Sequence, residues 1–198
     1  MNEKRIIKKI RKGDQESLNQ FIEFLYPQVY RFVYRKLQGD AECADITQET
    51  FIRFISNITT YKVQEKVIHY LYRIASNLCI DYWRKQERMM FHELEVERIE
   101  DTNIQPHESI LKKLESEELL KCIAKLPSFQ QDVILLRYFE QLNFREIAAV
   151  LEVNENTIKS RHKLALHRLE IIMKGDKSNE KRNHNSKRKD ARNKDCLH

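Results

Sequence analysis

In the stretch NFREIAAVLEVNENTIKSRHKLALHRL, Asn143 to Leu169, the side chains able to do chemistry are hydrogen-bonding groups rather than nucleophiles. A helix starting near Asn154 puts Thr157, Lys159, Ser160 and Lys163 on one face, close to its N-terminal half. Ile158, Ala165, Leu169 and Ile172 fall on the other. Lys, Asn, Ser and Thr are side chains that read base edges in a DNA groove. The shorter run before it opens on a capping-box pattern, Asn143 with Glu146, and turns Ile147, Ala148 and Leu151 inward. Asn154 can cap the second helix, which leaves Glu152-Val153 as the corner with Val153 inward. A short bracing helix before a polar one is the helix-turn-helix arrangement, whose second helix enters a major groove. An ordinary helical corner with a solvated outer face has the same pattern. The corner position often taken by Gly holds Glu152, so the turn either needs no positive φ or accepts some strain.

A second constellation is Asp45, Gln48 and Glu49, spaced i, i+3 and i+4 and so on one helical face. An acidic-amide patch suits a basic protein surface; a solvated face is the plainer alternative. Phe51 and Phe54 point to packing rather than binding. The four cysteines, Cys43, Cys79, Cys122 and Cys196, have no metal-ligand spacing. The first three lie in helical surroundings, where a thiol acts as a small apolar group. The seven histidines form no ligand pattern and read as surface residues. Without a P-loop, a ligand cluster or a nucleophile–base signature, a nucleic-acid-processing enzyme is a remote reading. No catalytic residue, metal or cofactor is expected.

The elements that must position these residues are all helical. Gly and Pro number three each in 198 residues, too few for a turn-rich β fold. Apolar residues make up 41% and charged ones 33%, a balance suited to amphipathic helices around modest cores. The apolar runs are too short to cross a bilayer, and the N-terminus lacks the apolar stretch of a secretory signal. A cytoplasmic protein is expected. Leu18, Phe21, Ile22 and Leu25 form one stripe, and Pro27 suits the first turn of a next helix. Asp40 can cap a helix to about Ser56, and a long helix is expected over about Val67 to Arg88. The second half reads as helices over about 107–125, 128–139, 143–151 and 155–173, with Ser128 as a candidate cap. The chain is thus all-α, with two small helical domains: 14–88, a linker over 89–106, and 107–173. The net charge of +6 resides mainly in the end of the chain. From Lys174 onward nine Lys/Arg face four Asp/Glu, a balance of +5, against +1 for residues 1–173. With almost no apolar residue, 174–198 is expected to be a disordered basic tail, solubilising or weakly attracted to nucleic acid.

The run Leu126 to Leu169 resembles the promoter-binding C-terminal domain of extracytoplasmic-function (ECF) sigma factors. DITQETFIRF, Asp45 to Phe54, resembles that family's core-polymerase-binding segment, and YLYRIASNLCIDYWRK, Tyr70 to Lys85, its helix for the downstream promoter element. The three occur in the family's order. The resemblance implies a factor that binds core RNA polymerase, directs it to promoters with two short elements, and assists strand opening. It implies that Asp45, Gln48 and Glu49 meet the clamp helices of the polymerase's largest subunit. It implies a loop at about Tyr61 to Lys66 that captures a flipped base, with Tyr61 as a stacking face or as a core cover. Asn77 is then a base or backbone contact, and Lys62, Lys66, Arg73, Arg84 and Lys85 meet phosphates. For the upstream element the matching positions are Asn156, Thr157, Lys159, Ser160 and Lys163. Ser76 stands where the family usually has Arg, and Arg161 and Arg168 are open between phosphate contact and ion pairing. The resemblance leaves open whether an anti-sigma factor restrains the protein. A stand-alone helix-turn-helix regulator is the alternative, although it has no use for a polymerase-docking segment.

Overall fold

The computed structural model describes residues 3–61, 66–92 and 117–194, with side chains described over 3–61, 66–88 and 118–174. These residues form α1 (Glu3–Ile10), α2 (Gln15–Leu37), α3 (Cys43–Ser56), α4 (Val67–His92), α5 (Glu117–Ala124), α6 (Ser128–Ile134), α7 (Phe144–Leu151) and α8 (Glu155–Lys194). No strand occurs among them.

Helices α2, α3 and α4 build the first core. The helical spacing of apolar residues brings Phe21, Val29, Phe32, Phe54, Leu71 and Ala75 to full burial, and the rings of Phe21 and Phe54 stack 5.3 Å apart. Asp14 caps α2, its carboxylate accepting from the Ser17 amide at 3.0 Å. Pro27 does not start a new helix; it sits inside α2. Its ring is exposed while Leu25 and Val29 on either side are buried, so one continuous apolar face outweighs the lost backbone hydrogen bond. Helix α1, which the sequence reading did not anticipate, adds Ile7 and Ile10 to this core. Arg11, just beyond it, donates to the Ile58 carbonyl at 2.8 Å and ties the N-terminus to the end of α3.

Helices α5 to α8 build the second core around Val133, Leu135, Leu136, Ile147, Val150, Ile158 and Ala165. The expected helix 128–139 is α6 continued by one π-helical turn, Leu135–Phe139. Its cap is not Ser128, which lies inside the helix; Pro127 occupies the position, with no side-chain cap bond. Expected helix over 107–116 and linker over 93–106 fall outside the described residues. Helix α4 continues to His92, four residues into the expected linker.

Two further expectations differ from the structure. The stretch from Lys174 was expected to be disordered, yet α8 runs to Lys194. With Gly175 its only Gly and no Pro, the stretch extends a helix already nucleated on the core, and each further residue adds a backbone bond without a new nucleus. The histidines do not all lie on the surface: His69 is 4% exposed, its Nε2 4.0 Å from Glu146 Oε1. Cys43, Cys79 and Cys122 are buried as expected, and burial pushes the Cys43 and Cys79 thiols up to about 12.

The two cores lie against each other. Helix α4 packs on α7, and α2 on α5 and the π-helical turn. Lys36 of α2 and Asp132 of α6 form an ion pair with both side chains fully buried. Ser76 of α4 completes the group, accepting from Lys36 Nζ at 3.2 Å and donating to Asp132 Oδ2 at 2.9 Å. Beside it Arg35 pairs with Glu140 at 2.9 Å, and the Tyr72 hydroxyl donates to the same carboxylate.

Candidate functional site

Helix α8 presents its polar face as the spacing requires. Ile158 and Ala165 are fully buried and Leu169 nearly so, which turns Asn156, Lys159, Ser160 and Lys163 to solvent; Thr157 is half-buried at the edge. Asn154 accepts the Thr157 amide at 3.0 Å and starts the helix. The bracing helix α7 has the full capping box: Asn143 Oδ1 accepts the Glu146 amide at 2.9 Å, and Glu146 Oε2 accepts the Asn143 amide at 3.0 Å. At the corner Glu152 adopts φ 54° and ψ 40°, so the chain takes the strained alternative. Lys159 pairs with Glu155 at 2.7 Å, one helical turn back, and both are half exposed, leaving the ammonium available to a stronger anion. Arg161 and Arg168, left open by the sequence, brace α8 on α6. Arg161 lies 4.9 Å over the Phe129 ring, and Arg168 donates to Gln130 at 3.2 Å.

The reciprocal bond from Asn143 is the largest cause lowering the Glu146 pKa, ahead of nearby His69 and Lys66. A depressed carboxylate pKa contributes stability above its unfolded value, and that contribution disappears as pH falls through the folded one. Asn143→Ala removes only the side-chain cap on the Glu146 amide and is expected to destabilise the second domain by about 1 kcal/mol. The backbone amide of residue 143 still donates to Glu146 in the variant, so parent and variant should lose the Glu146 contribution together on acidification and the difference between them should stay nearly constant, which thermal melts of both proteins across pH would measure.

On α3, Asp45 and Gln48 are exposed and Glu49 half-exposed, in one stripe. Glu49 pairs with Arg53 at 2.7 Å. Ile52 lies in the same stripe and is 53% exposed, an apolar side chain set among polar ones. The sequence reading passed over it; an apolar residue at i+4 from Gln48 and i+3 from Glu49 was the available signal. Phe51 and Phe54 are buried, as expected.

The downstream set is divided. Asn77, Arg84 and Lys85 are exposed on α4, with Arg84 3.8 Å from Asp81. Lys66 is exposed and 3.6 Å from Glu146. Lys62 lies outside the described residues. Tyr61 takes the second of its two readings: it is 8% exposed, with its ring centroid 5.6 Å from Phe54 and 5.0 Å from Tyr70. Burying a full aromatic face against two others outweighs holding it in water for a base. Arg73 is turned toward α7, donating to the carbonyls of Val150 at 3.1 Å and Ala149 at 2.6 Å and pairing with Glu152 at 3.1 Å.

Comparison with known proteins accounts for this arrangement. Residues 21–89 match the model of sigma-70 region 2, and residues 116–169 match that of sigma-70 region 4. The chain is 32% identical to the ECF RNA polymerase sigma factor SigW of Bacillus subtilis, over 80% of this chain and 89% of that one. It is 27% identical to the ECF RNA polymerase sigma factor BldN of Streptomyces coelicolor, over 86% of this chain and 66% of the relative. The fold is similar to that of the sigma factor RpoE from Bartonella quintana, solved in complex with the anti-sigma factor NepR. There the TM-score is 0.65 at 21% identity, covering 80% of this chain and 98% of that one. The fold and paired domains are those of a transcription initiation factor. The chain belongs to the ECF sigma factors. A sigma factor, rather than a stand-alone regulator, is what carries both regions.

Proposed function

We propose that this sigma factor docks on core RNA polymerase through the α3 stripe and reads promoter DNA with α4 and α8. Asp45, Gln48 and Glu49 present acceptors to a basic polymerase surface, and Ile52 adds an apolar contact at the C-terminal end of their stripe. Asn77, Arg84 and Lys85 line the exposed part of α4 for the downstream element, with Lys66 and Arg73 at its other end. Asn156, Thr157, Lys159, Ser160 and Lys163 read the upstream element, and the α8 N-terminus favours a phosphate oxygen nearby. The protein itself performs no chemistry; nucleotide addition belongs to the polymerase. It acts in the cytoplasm, where the polymerase is, and no described helix is long and apolar enough to cross a membrane. Residues 14–88 and 107–173 serve as the two binding domains.

The observation that carries the reading is a pair of exposed polar faces, on α3 and on α8, each backed by a buried apolar one in separate cores. Its test is run-off transcription with purified core polymerase on genomic fragments, with start sites mapped. Lys159→Ala should keep the fold, because its side chain is half exposed and its one ion pair is local. It should weaken use of an intact upstream element by roughly 1–3 kcal/mol if the lysine reads a base edge. If it meets only phosphate, all templates should weaken about equally. A variant that transcribes every template like the parent removes Lys159 from the reading face.

A further inference from the structure

Helix α8 is longer than its core and its reading face require. Its core-facing residues run from Ile158 to Ile172, yet the helix continues to Lys194, 40 residues in all. At 1.5 Å per residue it is about 60 Å long, against a major groove about 12 Å wide. Its second half therefore lies beyond any groove that the first half enters. Residues past 169 also lie outside the match to sigma-70 region 4.

The charges of this second half are sorted by face. A period of 3.6 residues places positions Lys174, Lys177, Lys181, Arg188 and Arg192 in one stripe about 60° wide. Asp176, Glu180 and Asp190 fall on the other side, and Arg182, Lys187, Lys189 and Lys194 lie off the stripe. Eighteen residues make five whole turns. Lys174, Lys177 and Lys181 stand 18 residues after Asn156, Lys159 and Lys163, so the stripe continues the line of the reading face. Glu170 interrupts that line, and its pairing with Lys174 at 2.5 Å neutralises it. Solubility needs charge, but not charge on one side in register with a DNA-reading face.

We propose that the C-terminal half of α8 is a phosphate-binding arm, in which the stripe of Lys177, Lys181, Arg188 and Arg192 takes the backbone of duplex DNA flanking the upstream element. The proposal rests on the reading of α8 as the DNA helix. Duplex DNA is the partner because it is the anion that the same face already meets, with one negative charge about every 1.7 Å of its axis. A straight duplex curves away from a straight helix, so the outer positions reach phosphates only where flanking DNA bends toward α8. The elastic cost of that bend is offset by the counterions that each phosphate contact releases. The arm adds affinity and no sequence preference.

Three variants of the full chain separate a one-sided arm from diffuse positive charge. Lys177→Glu, Lys181→Glu and Arg188→Glu together reverse the stripe. Arg182→Glu, Lys187→Glu and Lys194→Glu change the net charge equally, off the stripe. Two alanines inserted after Gly175 keep every charge but turn the stripe by about 200° from the reading face. The readout is anisotropy of fluorescein-labelled duplexes, one of about 40 bp and one of about 12 bp, little more than a single helical turn. Generic sequence suffices, because a phosphate contact carries no sequence information. On the long duplex the stripe variant and the insertion should each bind about tenfold more weakly or worse, and the slope of log K against log salt should flatten by about 3 for three lost contacts. The off-stripe variant should stay within about threefold of the parent, because 0.1 M salt screens charges across a helix diameter. On the short duplex, which offers no flank, all four proteins should bind within about threefold of one another. Equal losses from the stripe and off-stripe variants overturn the proposal, as does an insertion variant that binds like the parent. An equal loss on the short duplex overturns the flanking contact. Failure of the DNA-helix reading would appear elsewhere, as Lys159→Ala transcribing every template like the parent.

Discussion

Ile158→Asp is expected to unfold the second domain and leave the first domain folded and able to bind polymerase. Ile158 is fully buried where α8 packs on α6 and α7. The substitution removes a large apolar side chain and sets a carboxylate in its place, with no buried cation described beside it. Lost packing and an unpaired buried charge together cost more than about 4 kcal/mol, a large part of the stability of a small domain. Far-UV circular dichroism on heating should show loss of the α5–α8 contribution at temperatures where the parent is folded. The docking stripe on α3 rests on its own core of Phe21, Phe54 and Leu71, so co-purification with core polymerase should survive. A variant that melts like its parent would show that Ile158 is not the support of the reading helix. Against it stands Lys159→Ala, one residue on, where the fold should persist and only DNA use should fall. Adjacent residues with opposite failures are what a helix with one buried and one reading face requires.

The second large effect is expected from Asp45→Lys with Glu49→Lys, which should abolish co-purification with core polymerase. If the partner surface is basic, reversal sets like charges together at several kcal/mol, equivalent to roughly a hundredfold loss or more. Folding should be little affected, because Asp45 is exposed and Glu49 half-exposed, and the Glu49–Arg53 pair that is lost is a surface pair of small worth. The checks are a pull-down with core polymerase and a thermal melt. Undiminished binding by the folded double variant would remove this stripe from the docking surface. Ile52→Ser should weaken the same binding without altering charge, through loss of apolar contact alone.

Several features were legible in the chain because they depend on neighbours within one or two helical turns. The capping box of Asn143 and Glu146, the cap at Asn154 and the two faces of α8 follow from backbone period and side-chain reach. The same holds for the exposed stripe of Asp45, Gln48 and Glu49. The spacing could also narrow Glu152 to two alternatives, but only the folded corner, with φ at 54°, chose between them.

What the sequence could not decide involves partners far apart in the chain. Tyr61 reads as a loop aromatic until Phe54 and Tyr70 are brought beside it. Lys36, near the end of α2, is fully buried because Asp132, 96 residues away in the chain, lies against it. Arg73 reads as a phosphate ligand, and in the folded chain its hydrogen bonds go to α7. Local periodicity determined the helices and their faces. Which face is covered, and by what, was decided by packing, since burial of a charge or a ring depends on the groups that tertiary contact places around it.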